Sequence, residues 1–167
     1  MLKSQEVTMT DSADLNATPS IRLQAGAVPY RIGDSGLEFC LITTRRSGRW
    51  SIPKGCLREH ETIESAALCE ALEEAGVTGA IVGEPLGQYA YRKRGESFSV
   101  SVLLMEVAHS SQVWKEGAQR QRCWASFHRA VEMLDRPSLV QLLEVAMGRL
   151  GSHADESSTD TRNRASA

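Results

Sequence analysis

Residues 62–76 read TIESAALCEALEEAG and predict a helix at about residues 63–75. Thr62 is a plausible N-cap, and Gly76 provides a C-terminal stop. At about 100° per residue, Glu70, Glu73 and Glu74 fall within one sector roughly 100° wide. One face of the helix therefore presents three carboxylates, and the opposite face is suited to burial. The residues on that opposite face are Leu68, Ala71, Leu72 and Ala75.

The three carboxylates allow two interpretations. The simpler one is a solvated acidic face on an amphipathic helix. Against it, like charges at i, i+3 and i, i+4 each destabilise a helix by about 0.2–0.5 kcal/mol. These charges also lie in the last turns, where the helix dipole favours cations, and the helix contains no lysine or arginine. A bound Mg²⁺ ion would relieve this repulsion because magnesium prefers carboxylate oxygens. The helix alone leaves the two interpretations balanced.

The residues around the helix carry a longer motif. Gly55, Glu61, the three helix glutamates, Gly76 and Val77 fit the pattern G-x5-E-x7-R-E-U-x-E-E-x-G-U, where U is a bulky apolar residue. The spacing is correct from Gly55 to Val77. By this motif the chain resembles the Nudix hydrolases. The resemblance implies an α+β fold of the Nudix type, an α/β/α sandwich with a mixed sheet. It also implies hydrolysis of a diphosphate linkage.

The same resemblance assigns roles to the residues of this motif, Gly55–Val77, which we call the box. Glu70 and Glu73 would be catalytic, with Glu70 acting as a metal ligand or as a general base on the attacking water. Glu70, Glu73 and Glu74 would bind the metal, and Glu61 would assist them. The implied cofactor is Mg²⁺, with Mn²⁺ as a substitute. Such an ion would neutralise charge that develops on phosphate oxygens.

Two glycines of the box have implied structural roles. Gly55 would let the chain before the helix turn tightly and approach the metal-binding face. Gly76 would end the helix.

Two positions depart from the family pattern. Cys69 stands where the box has arginine, and Ala71 stands where it has a bulky aliphatic residue. The family arginine pairs with the box glutamates, and a cysteine cannot donate a bidentate charged hydrogen bond. The change allows slower catalysis, rescue by another cation such as Arg58 or Lys54, or binding without catalysis. Because all the box glutamates are present, we expect an active enzyme. The alternative is a catalytically impaired Nudix domain that binds a nucleotide or phospho-ligand as a sensor.

Basic residues outside the box suit a substrate with several phosphates, although a solvated surface charge is the simpler interpretation of any single one. The segment WSIPKG at residues 50–55 resembles the W-x-x-P-K-G motif of diadenosine- and diphosphoinositol-polyphosphate Nudix hydrolases. Residues 87–93 and 114–124 resemble the diphosphoinositol branch. The resemblance thus implies a polyphosphorylated small molecule of one of these two types. The candidate phosphate-binding residues are Arg49, Lys54, Arg92, Lys93 and Arg120.

Three more side chains near residue 120 are candidates for the site. Glu116 would be the extra acidic residue that many Nudix enzymes supply from outside the box. Trp114 and Trp124 could stack on a base, but packing in the core or at the rim is the simpler expectation.

The rest of the chain is predicted to build one domain at residues 21–150. Residues 1–20 and 151–167 are polar and lack periodicity, which predicts a flexible leader and a disordered tail. Strands are predicted at 21–31, 37–44, 80–82, 86–93, 98–107 and 123–127, and the first two are joined by the turn GDSG. Helices at 129–134 and 138–150 close the domain. In the last helix an apolar stripe predicts core packing rather than a partner surface. The stripe consists of Leu139, Leu142, Leu143 and Ala146.

Composition excludes several classes of protein. The 167 residues fit one domain, and a net charge of -2 with a pI near 6.1 provides no global attraction to nucleic acid. No stretch approaches the roughly 20 apolar residues of a membrane span, and the N-terminus lacks the apolar region of a signal peptide. We therefore expect a cytoplasmic protein without a membrane partner. Its oligomeric state is not determined by the sequence.

The cysteines predict neither a zinc site nor a disulfide framework, because no two of them form a C-x-x-C pair. Reduced, mostly buried thiols are the expectation. The four residues are Cys40, Cys56, Cys69 and Cys123.

Overall fold

The structure is a computed structural model that describes the backbone of residues 20–163 and the side chains of residues 20–152. The strands in this part of the chain are β1 (Ile21–Gly33), β2 (Gly36–Thr43), β3 (Trp50–Ser51), β4 (Lys54–Cys56), β5 (Val77–Ile81), β6 (Gly87–Lys93), β7 (Glu96–Ser110) and β8 (Arg122–Ala125). The helices are α1 (Ile63–Glu70), which continues into a π-helical turn (Ala71–Ala75), α2 (Phe127–Met133) and α3 (Pro137–Asn163).

The sheet is built around β1 and β7, which run parallel and pair from Ile21 with Ser97 to Tyr30 with Glu106. The other pairings are antiparallel. β2 and β4 pair with opposite ends of β1, β5 and β6 pair with β7, and β3 and β8 pair with β2. The sheet is therefore mixed, as predicted.

Helices cover both faces of the sheet because successive strand residues point to opposite sides. Val28 and Tyr30 of β1 belong to the core beneath α2 and α3, whereas Ala25 and Ala27 belong to the core beneath α1. This arrangement confirms the predicted α/β/α sandwich. The stripe of α3 that begins at Leu139 is buried in the first of these cores, which confirms that it packs internally.

The structure differs from the prediction in short strands and helix ends. β3 and β4 were missed because strands of two and three residues are too short to show a hydrophobic period. The backbone of α3 continues to Asn163, past the predicted end at residue 150. The apolar pattern stops there, but no proline follows to end the helix. The predicted tail therefore begins as helix, while residues 1–19 and 164–167 lie outside the described residues.

All four cysteines are free thiols, as expected. Only Cys40 is buried, however, and the other three are half-buried, so the expectation of mostly buried thiols was wrong. Cys56 lies in β4, Cys69 in α1 and Cys123 in β8. Within the described residues, no helix is long and apolar enough to cross a membrane.

Candidate active site

Helix α1 begins at the predicted residue, Ile63, and the π-helical turn that continues it ends at the predicted residue, Ala75. The Thr62 hydroxyl accepts a hydrogen bond from the Ser65 N–H at 3.0 Å, and the Ser65 hydroxyl accepts one from the Thr62 N–H at 3.1 Å, which forms a capping box. Gly76 adopts a left-handed conformation with φ 65°, and an added Cβ would lie 2.6 Å from the Cβ of Trp114. Both the conformation and the close contact therefore require glycine at position 76.

The last turn of the helix is π-helical rather than α-helical. The Gly76 N–H donates to the carbonyls of both Ala71 and Leu72. The buried stripe runs through Ala67, Ala71 and Ala75, all fully buried. Leu72 lies about 100° around the helix from Ala71 and is 48% exposed, so its predicted burial was wrong.

Glu74 lies on the other flank of the alanine stripe and is buried, with 8% of its surface exposed. Its carboxylate accepts a hydrogen bond from the Lys54 N–H at 3.0 Å and forms an ion pair with Arg120. Burial raises the pKa of Glu74 to about 7, although the Lys54 N–H and the Arg120 guanidinium act in the opposite direction. The prediction of a shared acidic face did not anticipate this burial.

Glu73 is more exposed and has different partners. The Lys115 Nζ lies 2.8 Å from its Oε1, and the Cys69 Sγ donates to the same oxygen at 3.7 Å. The hydrogen bond from Lys115 is the main reason that the pKa of Glu73 is lowered. Arg58 and Lys54, the cations suggested as substitutes for the box arginine, form no side-chain ion pair with a box glutamate within the described residues.

Glu70 differs from both because no donor in the described part of the chain hydrogen-bonds its carboxylate. Burial raises the pKa of Glu70, and the charges of Glu73 and Glu116 raise it further. The carboxylate lies against Gly55, where an added Cβ would be 1.9 Å from the Glu70 Oε1. Gly55 lies in β4 rather than in a tight turn, and it leaves room for this carboxylate.

Glu116 joins this cluster from outside the box. Its carboxylate forms ion pairs with Arg120 at 2.6 Å and with Arg45 at 3.5 Å. Glu61 lies apart from the cluster, in the loop before α1, where it accepts a hydrogen bond from the Arg58 N–H at 2.9 Å. The structure thus brings together Glu70, Glu73, Glu74 and Glu116 but not Glu61.

A cavity of about 760 Å³ opens against these four carboxylates. The five predicted phosphate-binding residues all line it, together with other cations that sequence reasoning did not select as phosphate ligands. Arg22 and Arg136 were missed entirely because they come from β1 and the segment before α3, far from the box in sequence. The basic residues that line the cavity are Arg22, Arg45, Arg46, Arg49, Lys54, Arg92, Lys93, Arg120 and Arg136.

A row of aromatic rings supports one side of the cavity. The rings of Tyr91 and Phe98 stack with centroids 4.9 Å apart, and Tyr89 stacks behind Tyr91. The Lys54 Nζ lies 4.9 Å from the Tyr91 ring and also donates to the Tyr91 hydroxyl at 3.1 Å. Arg136 lies 5.3 Å from the same ring. These cation–π contacts hold positive charge at the cavity wall.

The two tryptophans of the 114–124 region do not line the cavity. The Trp114 indole donates to the Glu74 carbonyl at 3.0 Å and packs beneath Arg122. Trp124 lies beneath Arg31, whose guanidinium is 3.9 Å from the ring centroid. Both therefore pack against the protein, as expected, rather than offering a free face to a base.

The carboxylate cluster has the chemistry of a site for a hard divalent cation. Its oxygens are the ligands that such ions prefer. Burial and then the charges of neighbouring carboxylates raise the pKa of Glu70, and added positive charge would relieve both effects. In the part of the chain that the structure describes, no three acidic, histidine or cysteine side chains stand in a ready ligand arrangement. Lys115 and Arg120 lie against the carboxylates instead. The donor set fits a divalent cation by its chemistry and charge, and binding would require the carboxylates to exchange these cationic partners for the ion.

Comparison with known proteins agrees with this site. The NUDIX domain family profile matches residues 21–144. Nudix hydrolase 21, chloroplastic, of Arabidopsis thaliana is 33% identical over 138 residues, which cover 79% of this chain and 69% of that protein. Nudix hydrolase 17, mitochondrial, of the same plant is 31% identical over 140 residues, which cover 78% of this chain and 76% of that protein.

The solved structures support the fold. A C. elegans Ap4A hydrolase, crystallised as a binary complex, superimposes with a TM-score of 0.70 at 24% identity and covers 79% of this chain and 99% of that one. The box, the sandwich fold and the family match agree with one another. The chain therefore belongs to the Nudix family, and its enzyme class is that of a Nudix hydrolase acting on phosphoric anhydrides.

Proposed function

We propose that this chain is a Mg²⁺-dependent phosphohydrolase that cleaves a diphosphate linkage in a polyphosphorylated small molecule. The observation that carries the proposal is the division of one cavity into two parts. Four carboxylates form one wall, and nine basic residues line the same cavity. Arg45 and Arg120 form ion pairs with that wall, whereas in the described part of the chain the side chains of the other seven form none with it. Such a cavity attracts phosphate groups and offers oxygen ligands for a cation beside them.

The residues divide the chemistry between them. Glu73, Glu74 and Glu116 would hold the metal ion, and Glu61 stays a predicted assisting residue. A bound divalent cation supplies charge neutralisation on phosphate oxygens and lowers the pKa of water. Glu70 would accept the proton of the attacking water, because no donor among the described residues hydrogen-bonds its carboxylate and burial raises its pKa.

The basic residues would bind and orient the phosphates. Lys54 is held in place by the Gln24 side chain at 3.3 Å and by Tyr91, so it would approach the phosphate beside the carboxylates. Arg49, Arg92 and Lys93 lie further out along the cavity. A charge-assisted hydrogen bond from each would position the diphosphate for attack.

We propose a diphosphoinositol polyphosphate or a diadenosine polyphosphate as the substrate. Both present a run of phosphates, which suits a cavity with basic residues contributed by several elements. Nucleic acid and membrane are not among the proposed partners, because the chain has a net charge of -2 and no global positive field. The proposed location is the cytoplasm, which a fluorescent fusion of the full chain would test.

The decisive experiment is a hydrolysis assay of the purified protein with Mg²⁺. The substrates are diadenosine polyphosphates, inositol pyrophosphates, ADP-ribose and nucleoside triphosphates, and release of phosphate and nucleotide is measured. We expect turnover of one of the first two classes, and loss of turnover with EDTA. Tight binding of one ligand without any turnover would contradict the enzyme and support the sensor alternative.

A further inference from the structure

The end of the glutamate helix is held by the segment of residues 114–120. The last carbonyls of a helix have no partner inside the helix. Here the Glu116 N–H donates to the Glu73 carbonyl at 3.1 Å, and the Trp114 indole donates to the Glu74 carbonyl at 3.0 Å. The main chain of the two metal-binding candidates is therefore fixed by a segment that lies outside the box.

Arg120 extends this attachment to the carboxylates. Its Nη2 donates to the Glu74 carboxylate, its Nε donates to Glu116 at 2.6 Å, and its Nη1 donates to the Thr43 carbonyl at 2.9 Å. Only 7% of its side chain is exposed. Because a guanidinium is planar and these contacts involve all three of its nitrogens, its orientation is determined from three sides. A carboxylate from the box and one from outside it are thereby held together.

The glutamate helix itself supplies no such cation. At position 69 a cysteine contacts Glu73 through its sulfur, and residues 62–76 contain no lysine or arginine. On the basis of the function proposed above, we propose that Arg120 is a positioning residue. It holds Glu74 and Glu116 in register and so does from residue 120 what the family arginine does from position 69.

This role differs from the phosphate contact that the sequence predicted for Arg120. A phosphate ligand needs N–H groups that face the substrate, whereas the Arg120 nitrogens are directed at protein oxygens. The two roles have different kinetic signatures. Loss of a phosphate contact raises KM, while loss of correctly placed carboxylates lowers kcat and weakens metal binding.

The test compares Arg120→Gln and Arg120→Lys with Arg129→Gln. Arg129 is a matched control because it pairs with Glu132 on the exposed surface of α2, away from the cavity. We expect Arg120→Gln to lower kcat by about 10- to 100-fold and to weaken Mn²⁺ binding, measured by calorimetry, by a similar factor. We expect KM to change by less than about threefold. Arg120→Lys should lie in between, because it keeps the charge but not the planar fork.

A second pair of variants tests the relation to position 69. Cys69→Arg should leave kcat of the wild-type protein nearly unchanged, because the glutamates are already held. In the Arg120→Gln background the same substitution should raise kcat. A tenfold gain in kcat from Cys69→Arg in the wild-type background would overturn the proposal. The proposal would also be overturned if Arg120→Gln raised KM and left kcat and Mn²⁺ affinity unchanged.

Thermal unfolding in EDTA separates this proposal from the proposed function. Arg120→Gln leaves the buried Glu74 carboxylate without its ion-pair partner, so the Tm of this variant should be lower than that of wild type. Adding Glu74→Gln to the same variant should restore part of the lost Tm. The same Tm for Arg120→Gln and wild type, with unchanged Mn²⁺ affinity, would overturn the positioning role. If wild type hydrolyses no substrate, the proposed function fails, while the Mn²⁺ affinities and Tm values still decide the role of Arg120.

Discussion

The acidic wall of the cavity, formed by the four carboxylates with Arg120 against them, and its basic rim, formed by Arg49, Arg92 and Lys93, are built in different ways. Glu74 and the side chain of Arg120 are buried and hydrogen-bonded to several partners. On the rim, the Arg49 side chain is 70% exposed and forms a surface ion pair with Asp135 at 3.4 Å. Exposed ion pairs of this kind contribute little to stability, so the rim side chains can change position at small cost. Under the proposed function, a rigid wall would fix the chemistry and an adaptable rim would determine the choice of substrate.

The largest loss of activity is expected from substitutions in the acidic wall. We expect Glu70→Gln, Glu73→Gln and Glu74→Gln each to lower kcat by about 100-fold or more, because each removes a charge from the general base or the metal site. The change keeps the shape of the side chain, so circular dichroism should show an unchanged fold. Glu64→Gln is the matched control, since Glu64 lies in the first turn of α1 and does not line the cavity. Equal activity of all four variants would refute the wall as the catalytic element.

A smaller loss of activity is expected when a wall carboxylate is moved but keeps its charge. An alanine at position 55 would place its Cβ 1.9 Å from the Glu70 Oε1, so the carboxylate must move. We expect Gly55→Ala to lower kcat by about 10- to 100-fold, because displacement of a reacting group by about 1 Å can cost that much. Gly148→Ala serves as control, since its Cβ would meet no atom within 4 Å. Normal kcat of Gly55→Ala would show that the position of Glu70 is not critical.

The smallest effect is expected on the rim. Arg92→Ala and Lys93→Ala should each raise KM by about tenfold or less with little change in kcat, because each removes one solvent-exposed phosphate contact. Higher salt should raise the KM of wild type more than the KM of a double variant that carries both Arg92→Ala and Lys93→Ala. Arg94→Ala is the control, because Arg94 is the next residue along the chain, in the turn after β6, but lies outside the cavity lining. A loss of kcat without a change in KM would place these residues with the wall instead.

Much of this molecule could be predicted from residues close together in sequence. The cap at Thr62, the stop at Gly76 and the buried stripe of α3 depend on local spacing, and the structure confirms all three. The sandwich followed from the resemblance carried by the box. The burial of Glu74 could not be predicted from the box. It depends on the alanines beside Glu74, which let that side of the helix lie close to the sheet.

The parts that were missed depend on contacts between distant residues. Arg22 and Arg136 enter the cavity only because the sheet brings β1 and the start of α3 next to the box. The contacts of Arg120 with Thr43 and Glu74 span 77 and 46 residues. The available signal in the sequence was that Arg120 follows Glu116 at i+4 spacing. This spacing predicts their ion pair but does not identify the second carboxylate that Arg120 contacts.

The parallel pairing of β1 with β7 has a consequence for how the chain folds. The two strands can meet only after the intervening segment has closed a long loop, as the ion pair between Arg22 and Glu96 across 74 residues illustrates. Closing such loops costs entropy before the contacts that repay it exist, and topologies rich in distant contacts fold slowly. The cavity receives residues from both strands, so a chain that has formed only its helices and hairpins has no catalytic cavity. Activity should therefore return in the last phase of refolding, after helical signal has recovered.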